Sequence, residues 1–119
     1  MTVSAPRVPK VCATRQLDDG VALDLFMAAD LLAFQGHFPQ AAILPGVAQI
    51  DWAVRFARSH LSLTDGSAPA FQVKFRKVIG PDTLVTLVLR RDEAKKRLKF
   101  EYRLGDDVMS SGSLPMEPP

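Results

Sequence analysis

Residues 45–61, PGVAQIDWAVRFARSHL, decide the plan of the chain because they read as its one long helix. Behind Pro45-Gly46, the fifteen residues Val47 to Leu61 are free of proline and glycine, and Ile50, Val54, Ala57 and Leu61 recur at helical spacing. Trp52, Ala53 and Phe56 add a second apolar flank. A helix apolar on two flanks is expected to be largely enclosed, by a sheet, by a partner subunit, or by both.

Outward from the helix the sequence reads as strand. Residues 7–16 and 20–28 are two strands separated by the turn Asp18-Asp19-Gly20, the second containing the apolar-rich run Val21 to Met27. Phe34 to Pro45, with Gly36, Pro39 and Pro45, cannot be regular helix or central strand and is a long loop. Beyond the helix, Phe71, Val73 and Phe75 alternate with Gln72, Lys74 and Arg76, and Gly80-Pro81-Asp82 turns the chain. Leu84 to Leu89 is richly apolar, and Leu98, Phe100, Tyr102 and Leu104 alternate with Lys99, Glu101 and Arg103. Gly105-Asp106-Asp107 permits a hairpin to a short last strand near 108–114, and Pro115 to Pro119 is expected to fray. The order predicts a single α+β domain over residues 1–119, one antiparallel sheet wrapped around one helix.

Composition narrows the function classes. With 119 residues, 47% apolar and 24% charged, the chain fits one domain and has no apolar run able to cross a bilayer. Met1 to Lys10 lacks the apolar core of a secretory signal, so a cytoplasmic location is expected. The single cysteine, Cys12, is expected as a small buried hydrophobe, and two histidines without a Cys/His cluster indicate no zinc-type site. A net charge of +2 and the absence of basic-aromatic motifs argue against nucleic acid. The charge is uneven: residues 1–54 carry three basic and five acidic side chains, residues 55–119 twelve and eight. An acidic partner is therefore expected to meet the second half.

Physics alone leaves the chemistry open. His37 lies in a glycine- and proline-bounded loop between apolar residues, where a neutral imidazole suits a base near neutral pH; the plain alternative is a surface or hydrogen-bonded core histidine. Pro45-Gly46 before the helix either admits a substrate to free N–H groups or is an ordinary junction. Asp51 lies in the second helical turn with Arg55 and Arg58 within about 40° of it. An exposed Asp51–Arg55 ion pair is the plain reading, with Val47 and Val54 flanking the same face.

The stretch from Gly36 to Asp51 resembles the active-site signature of the hotdog-fold 3-hydroxyacyl-[acyl-carrier-protein] dehydratases of the FabA/FabZ type, roughly G-H-F-P-x-x-P-x-x-P-G-V-x-x-x-[DE]. Gly36-His37-Phe38-Pro39 and Leu44-Pro45-Gly46-Val47 match it, and Asp51 follows His37 by fourteen positions. Gln49-Ile50-Asp51-Trp52-Ala53 is similar to the ApeI-like dehydratases of aryl-polyene pathways. Ala42 departs from the pattern where proline is usual, and Arg55 stands where many members have glutamine. An arginine there is expected to favour ionised Asp51, at the expense of its role as proton donor.

The resemblance implies that His37 and Asp51 are the catalytic pair, His37 removing the α-proton of a 3-hydroxyacyl thioester and Asp51 assisting loss of the 3-hydroxyl as water. Gly46 and Val47 are then the thioester-oxygen donors, with Phe34, Phe38, Ile43, Trp52 and Arg55 about the substrate. No metal or redox cofactor is needed for this elimination; the substrate arrives instead on the phosphopantetheine of an acyl carrier protein. Arg90, Arg91, Lys95 and Lys96 are candidates for docking that carrier, with Arg97, Lys74 and Lys77 beside them. A homodimer or assembly of dimers is implied, or a heterodimer with a related hotdog subunit, each site taking its histidine from one chain and its acid from the other. The alternatives are a hotdog thioesterase and a non-catalytic hotdog protein that binds an acyl carrier.

Overall fold

The computed structural model describes residues 6–35, 43–65 and 72–118. Along the chain run β1 (Lys10–Leu17), β2 (Gly20–Met27), a 3-10 turn (Leu32–Phe34), α1 (Gly46–Leu61), β3 (Thr64–Asp65), β4 (Gln72–Phe75), β5 (Thr83–Asp92), β6 (Arg97–Leu104) and β7 (Asp107–Glu117). All strand pairings are antiparallel, in the order β1-β2-β5-β6-β7, with β3 and β4 each pairing to β7. The expected plan holds: one antiparallel sheet curves about one long helix. No helix among the described residues is long and apolar enough to cross a membrane.

Strand alternation builds the inner face. Val21, Leu23, Leu25 and Met27 of β2 are fully buried, as are Val85, Leu87 and Leu89 of β5. Register lines these residues up across the strands. One row runs Leu23, Leu87, Tyr102, Ser110, Phe75, and the next runs Val21, Leu89, Phe100, Gly112, Val73. From the helix, Trp52, Ala53, Ala57 and Leu61 close on this face, while Ile50, Val54 and Phe56 are only partly covered. Truncating Trp52 to alanine would cost about 3–5 kcal/mol by the usual penalty for emptying a core site. At the β1–β2 turn the chain passes so near β5 that a β-carbon on Gly20 would stand 1.8 Å from the Leu89 carbonyl oxygen, and only glycine fits.

Two sequence expectations are corrected here. Cys12 is exposed: β1 is an edge strand with almost every residue exposed, and the register slips at Cys12 between Val11 and Ala13. The last strand does not end near residue 114, because β7 continues through Pro115 to Glu117. There it is held by β3, a two-residue strand too short to leave a periodic signal. Pro115 carries no N–H, and it stands at the last residue pair of the β6–β7 ladder, opposite Arg97 and beyond the reach of β4.

Candidate active site

The site is built on the first turn of α1. Pro45 is its N-cap with φ −62°, a value the pyrrolidine ring imposes, and its carbonyl oxygen accepts the N–H groups of Ala48 (3.2 Å) and Gln49 (3.3 Å). The Gly46 and Val47 N–H groups lie ahead of those bonds. Among the described residues no side chain caps this end, and no acidic residue stands in the first turn. The helix thus presents donors and the positive end of its dipole to whatever precedes it.

A cleft of about 340 Å³ opens at this point, with Ile43 to Gly46 and Gln49 on one side and Phe75 to Val78 on the other. Backbone bonds tie the two sides together. Leu44 N–H donates to Ile79 O at 2.8 Å, and Arg76 and Lys77 N–H both donate to Met109 O, at 2.9 and 3.1 Å. The Met109 carbonyl is available because β7 bulges there: Tyr102 pairs with Ser110 but Arg103 pairs with Val108, leaving Met109 as the extra residue. Apolar side chains stay exposed at the cleft, Val78 at 66% and Phe75 at 51%, while Val47, on the helix surface outside the lining, is 78% exposed. Arg76 and Lys77 add positive charge, Lys77 paired with Asp107 at 3.2 Å. A larger groove of about 540 Å³ borders Lys74, Lys99, Glu101, Ser111 and Ser113. Those side chains alternate with the inward-facing ones, so that groove lies mainly on the outer face of the sheet, away from α1.

Beneath the turn is a buried polar cluster. Gln49 Nε2 donates to Leu44 O (3.3 Å), Ser110 Oγ donates to Gln49 Oε1 (2.7 Å), and Tyr102 OH donates to the Gln49 carbonyl oxygen (2.7 Å). Burial pushes the Tyr102 phenol well above its usual value, and the negative charge of Asp51 adds to the effect.

The sequence-predicted residues fall into distinct places. His37 and Phe38 lie outside the described residues. Asp51 Oδ2 pairs with Arg55 Nε at 2.8 Å, both side chains more than half exposed, on the helix surface near Val47 and away from the lining of the cleft. Gly46 and Ile43 do line the cleft. Trp52, expected at the substrate, lies in the core with Nε1 donating to Arg7 O at 3.0 Å, and Phe34 is a half-buried residue packed against that core.

The basic residues gather elsewhere. Arg90 pairs with Asp19 (2.6 Å), Lys96 lies 4.0 Å from Glu117, Lys95 is exposed in the β5–β6 turn, and Arg91 is half-buried. Five residues of β6, roughly 16 Å of strand, separate this end of the sheet from Tyr102 beside the helix start. Sequence reading did not single out Tyr102, Ser110 or Phe75, nor Gln49 as a buried residue. The available signal was Gln49 itself, a polar residue at the head of the buried stripe that continues through Trp52, Ala53 and Ala57.

Comparison with known proteins agrees with this architecture. The family model for the ApeI dehydratase, described as ApeI-like, matches residues 13–113. The chain belongs to the ApeI-like dehydratase family. A solved structure titled as the dehydratase heterocomplex ApeI:P from Xenorhabdus doucetiae is 33% identical, with a TM-score of 0.80 over 91% of this chain and 96% of that one. A crystal structure of an uncharacterized protein from Erwinia carotovora subsp. atroseptica is 34% identical, with a TM-score of 0.73 over 93% and 95% of the two chains. No match is found among curated proteins. The sheet about one helix is thus the hotdog fold of the ApeI-like family, and dehydration is the general chemistry that membership carries.

Proposed function

We propose that this ApeI-like chain dehydrates a 3-hydroxyacyl thioester, carried on the phosphopantetheine of an acyl carrier protein, to the trans-2-enoyl thioester and water. His37 takes the α-proton, the electron pair moves toward the thioester, and the C3–O bond breaks as Asp51 assists the hydroxyl to leave as water. Negative charge grows on the thioester oxygen during this elimination. The observation that carries the reading is the cleft ending at the uncapped start of α1, where Gly46 and Val47 N–H can receive that oxygen. Preorganised donors of this kind typically contribute about 10²- to 10³-fold in rate. Arg76 and Lys77 at the mouth suit the phosphodiester of the pantetheine arm, while Arg90, Arg91, Lys95 and Lys96 are the proposed landing surface for the carrier's acidic body. The elimination calls on no metal or redox cofactor.

The position of Asp51 supports a shared site. Its carboxylate stands on the helix surface rather than in the cleft of its own chain, next to the exposed Val47. In this reading Asp51 serves the cleft of a second subunit, either another copy or a related hotdog chain, the latter in keeping with the ApeI:P heterocomplex. The pathway is fatty-acid-like or aryl-polyene synthesis. The test is mass spectrometry of 3-hydroxyacyl carrier protein after incubation with the protein. Loss of one water from the carrier-bound chain supports the dehydratase; release of the free acid would instead make it a thioesterase, and an unchanged substrate would point to a non-catalytic acyl-carrier-binding protein.

A further inference from the structure

Gln49 occupies one of the freely variable positions of the dehydratase signature, yet its side chain is 3% exposed and borders the cleft. A buried primary amide is costly unless its polar atoms are matched, so its partners matter. Leu44 O can only accept, which fixes the Gln49 Nε2 group toward it and turns Oε1 toward the Ser110 hydroxyl. Ser110 is fully buried, and no buried side-chain polar atom among the described residues lacks a partner.

These bonds converge on one short piece of backbone. Leu44 is gripped at both polar groups, its N–H by Ile79 O and its C=O by the Gln49 amide. The Leu44 carbonyl shares a planar peptide with Pro45, whose φ is fixed by its ring, so holding that carbonyl leaves little freedom before Gly46. Tyr102 holds the same turn from below through the Gln49 carbonyl oxygen. Tyr102, Ser110 and Phe75 are successive members of one cross-strand row, and all three meet the first turn of α1.

We propose that Gln49 is a positioning residue: its side chain, braced by Ser110, sets where the Gly46 and Val47 N–H groups stand for the thioester oxygen. This rests on the dehydratase reading above. Gln49 itself touches no reacting atom. A donor misplaced by about 1 Å costs on the order of 10²-fold in rate, so loss of the brace is read in kcat more than in binding of the carrier.

The test compares wild type with Gln49→Met and Gln49→Glu, and Ser110→Ala as a milder variant should Gln49→Met fold poorly. Gln49→Met fills the space without the amide and should lower kcat about 10- to 100-fold, with KM for the carrier-bound thioester within about twofold. Gln49→Glu regains a donor only when its carboxyl is protonated, so its kcat relative to wild type should rise as pH falls. A purely structural role would lower melting temperature and leave kcat per folded protein unchanged. That result overturns the proposal, as does a flat kcat ratio for Gln49→Glu across pH. Crystal structures of wild type and Gln49→Met, or of Ser110→Ala, give a readout independent of activity, with the Leu44–Gly46 backbone expected to shift. An unmoved backbone overturns the proposal. A wild type that shifts no mass on any 3-hydroxyacyl carrier overturns the dehydratase reading instead, and the backbone comparison then decides alone whether Gln49 sets the turn.

Discussion

The Phe75 ring covers Gly46 so closely that a β-carbon on that glycine would stand 2.5 Å from the ring's Cζ. The aromatic end of β4 and the donor end of α1 are therefore fitted to each other across the cleft.

Gly46→Ala should push the half-exposed ring aside at little cost in stability, since alanine also favours helix by up to about 1 kcal/mol. The ring then moves within the cleft, and kcat/KM should fall about tenfold, in line with misplacement of a reacting group. Phe75→Ala in the same chain should recover most of the loss. If the double variant is as slow as Gly46→Ala alone, crowding by Phe75 is not the cause.

The buried phenol gives an alkaline signature. Tyr102 ionises near pH 10 in the unfolded chain, whereas burial, aided by the charge of Asp51, keeps it neutral well beyond that in the fold. Its share of stability is complete below about pH 10 and is lost as pH climbs toward the folded value. Urea unfolding between about pH 9 and 11 should show wild type losing stability more steeply than Tyr102→Phe. Parallel curves would mean that Tyr102 ionises alike in both states.

The acid side has its own reporter. Hydrogen bonds from Arg15 (2.8 and 3.0 Å) and Thr86 (2.8 Å) hold the Asp24 carboxyl below the usual carboxylate range. The stability this gives is present above about pH 4 and is lost as pH falls through the lower folded value. Solvent screens the half-exposed Arg15, so the effect is modest. Asp24→Asn should lower stability at neutral pH and flatten the decline below about pH 4; an unchanged acid limb would exclude Asp24 as its source.

The strands of the sheet and the span of α1 were legible because period-two and helical apolar patterns survive wherever one face meets a core, as in Leu98, Phe100 and Tyr102. The two-residue β3 was not, because two residues carry no period. Cys12 was misjudged because burial depends on a strand's place in the sheet, and β1 is an edge strand, which residue type does not encode. At the candidate site, the helix start at Pro45-Gly46 was readable from local chemistry. The brace beneath it was not, because Gln49, Tyr102 and Ser110 meet across 61 positions of sequence and only sheet register brings them together.

The proposed carrier surface can be separated from the cleft. Arg91→Glu with Lys95→Glu reverses charge at the β5–β6 end while sparing the Arg90–Asp19 pair. KM for carrier-bound substrate should rise about tenfold at low salt and return toward wild type as salt screens the contact. A small thioester mimic should be turned over as before. Equal effects on both substrates would move the docking surface elsewhere, with Lys74, Arg76 and Lys77 next to be reversed.

The exposed position of Asp51, off the lining of its own cleft, makes the shared site testable by mixing subunits. His37→Ala and Asp51→Ala should each fold, dimerise and lose nearly all activity. In a mixed dimer one site lacks both residues, whereas the other combines His37 from the Asp51→Ala chain with Asp51 from the His37→Ala chain. Random exchange makes about half of the dimers mixed, each with one intact site of two, so roughly a quarter of wild-type activity should return. If the active assembly pairs this chain with a related subunit instead, two of these chains restore nothing together. Activity then returns only when the second subunit is added, and His37→Ala and Asp51→Ala each silence one site of the pair. Verified mixed dimers and heterodimers that both stay as inactive as their parents would exclude a site built from two chains.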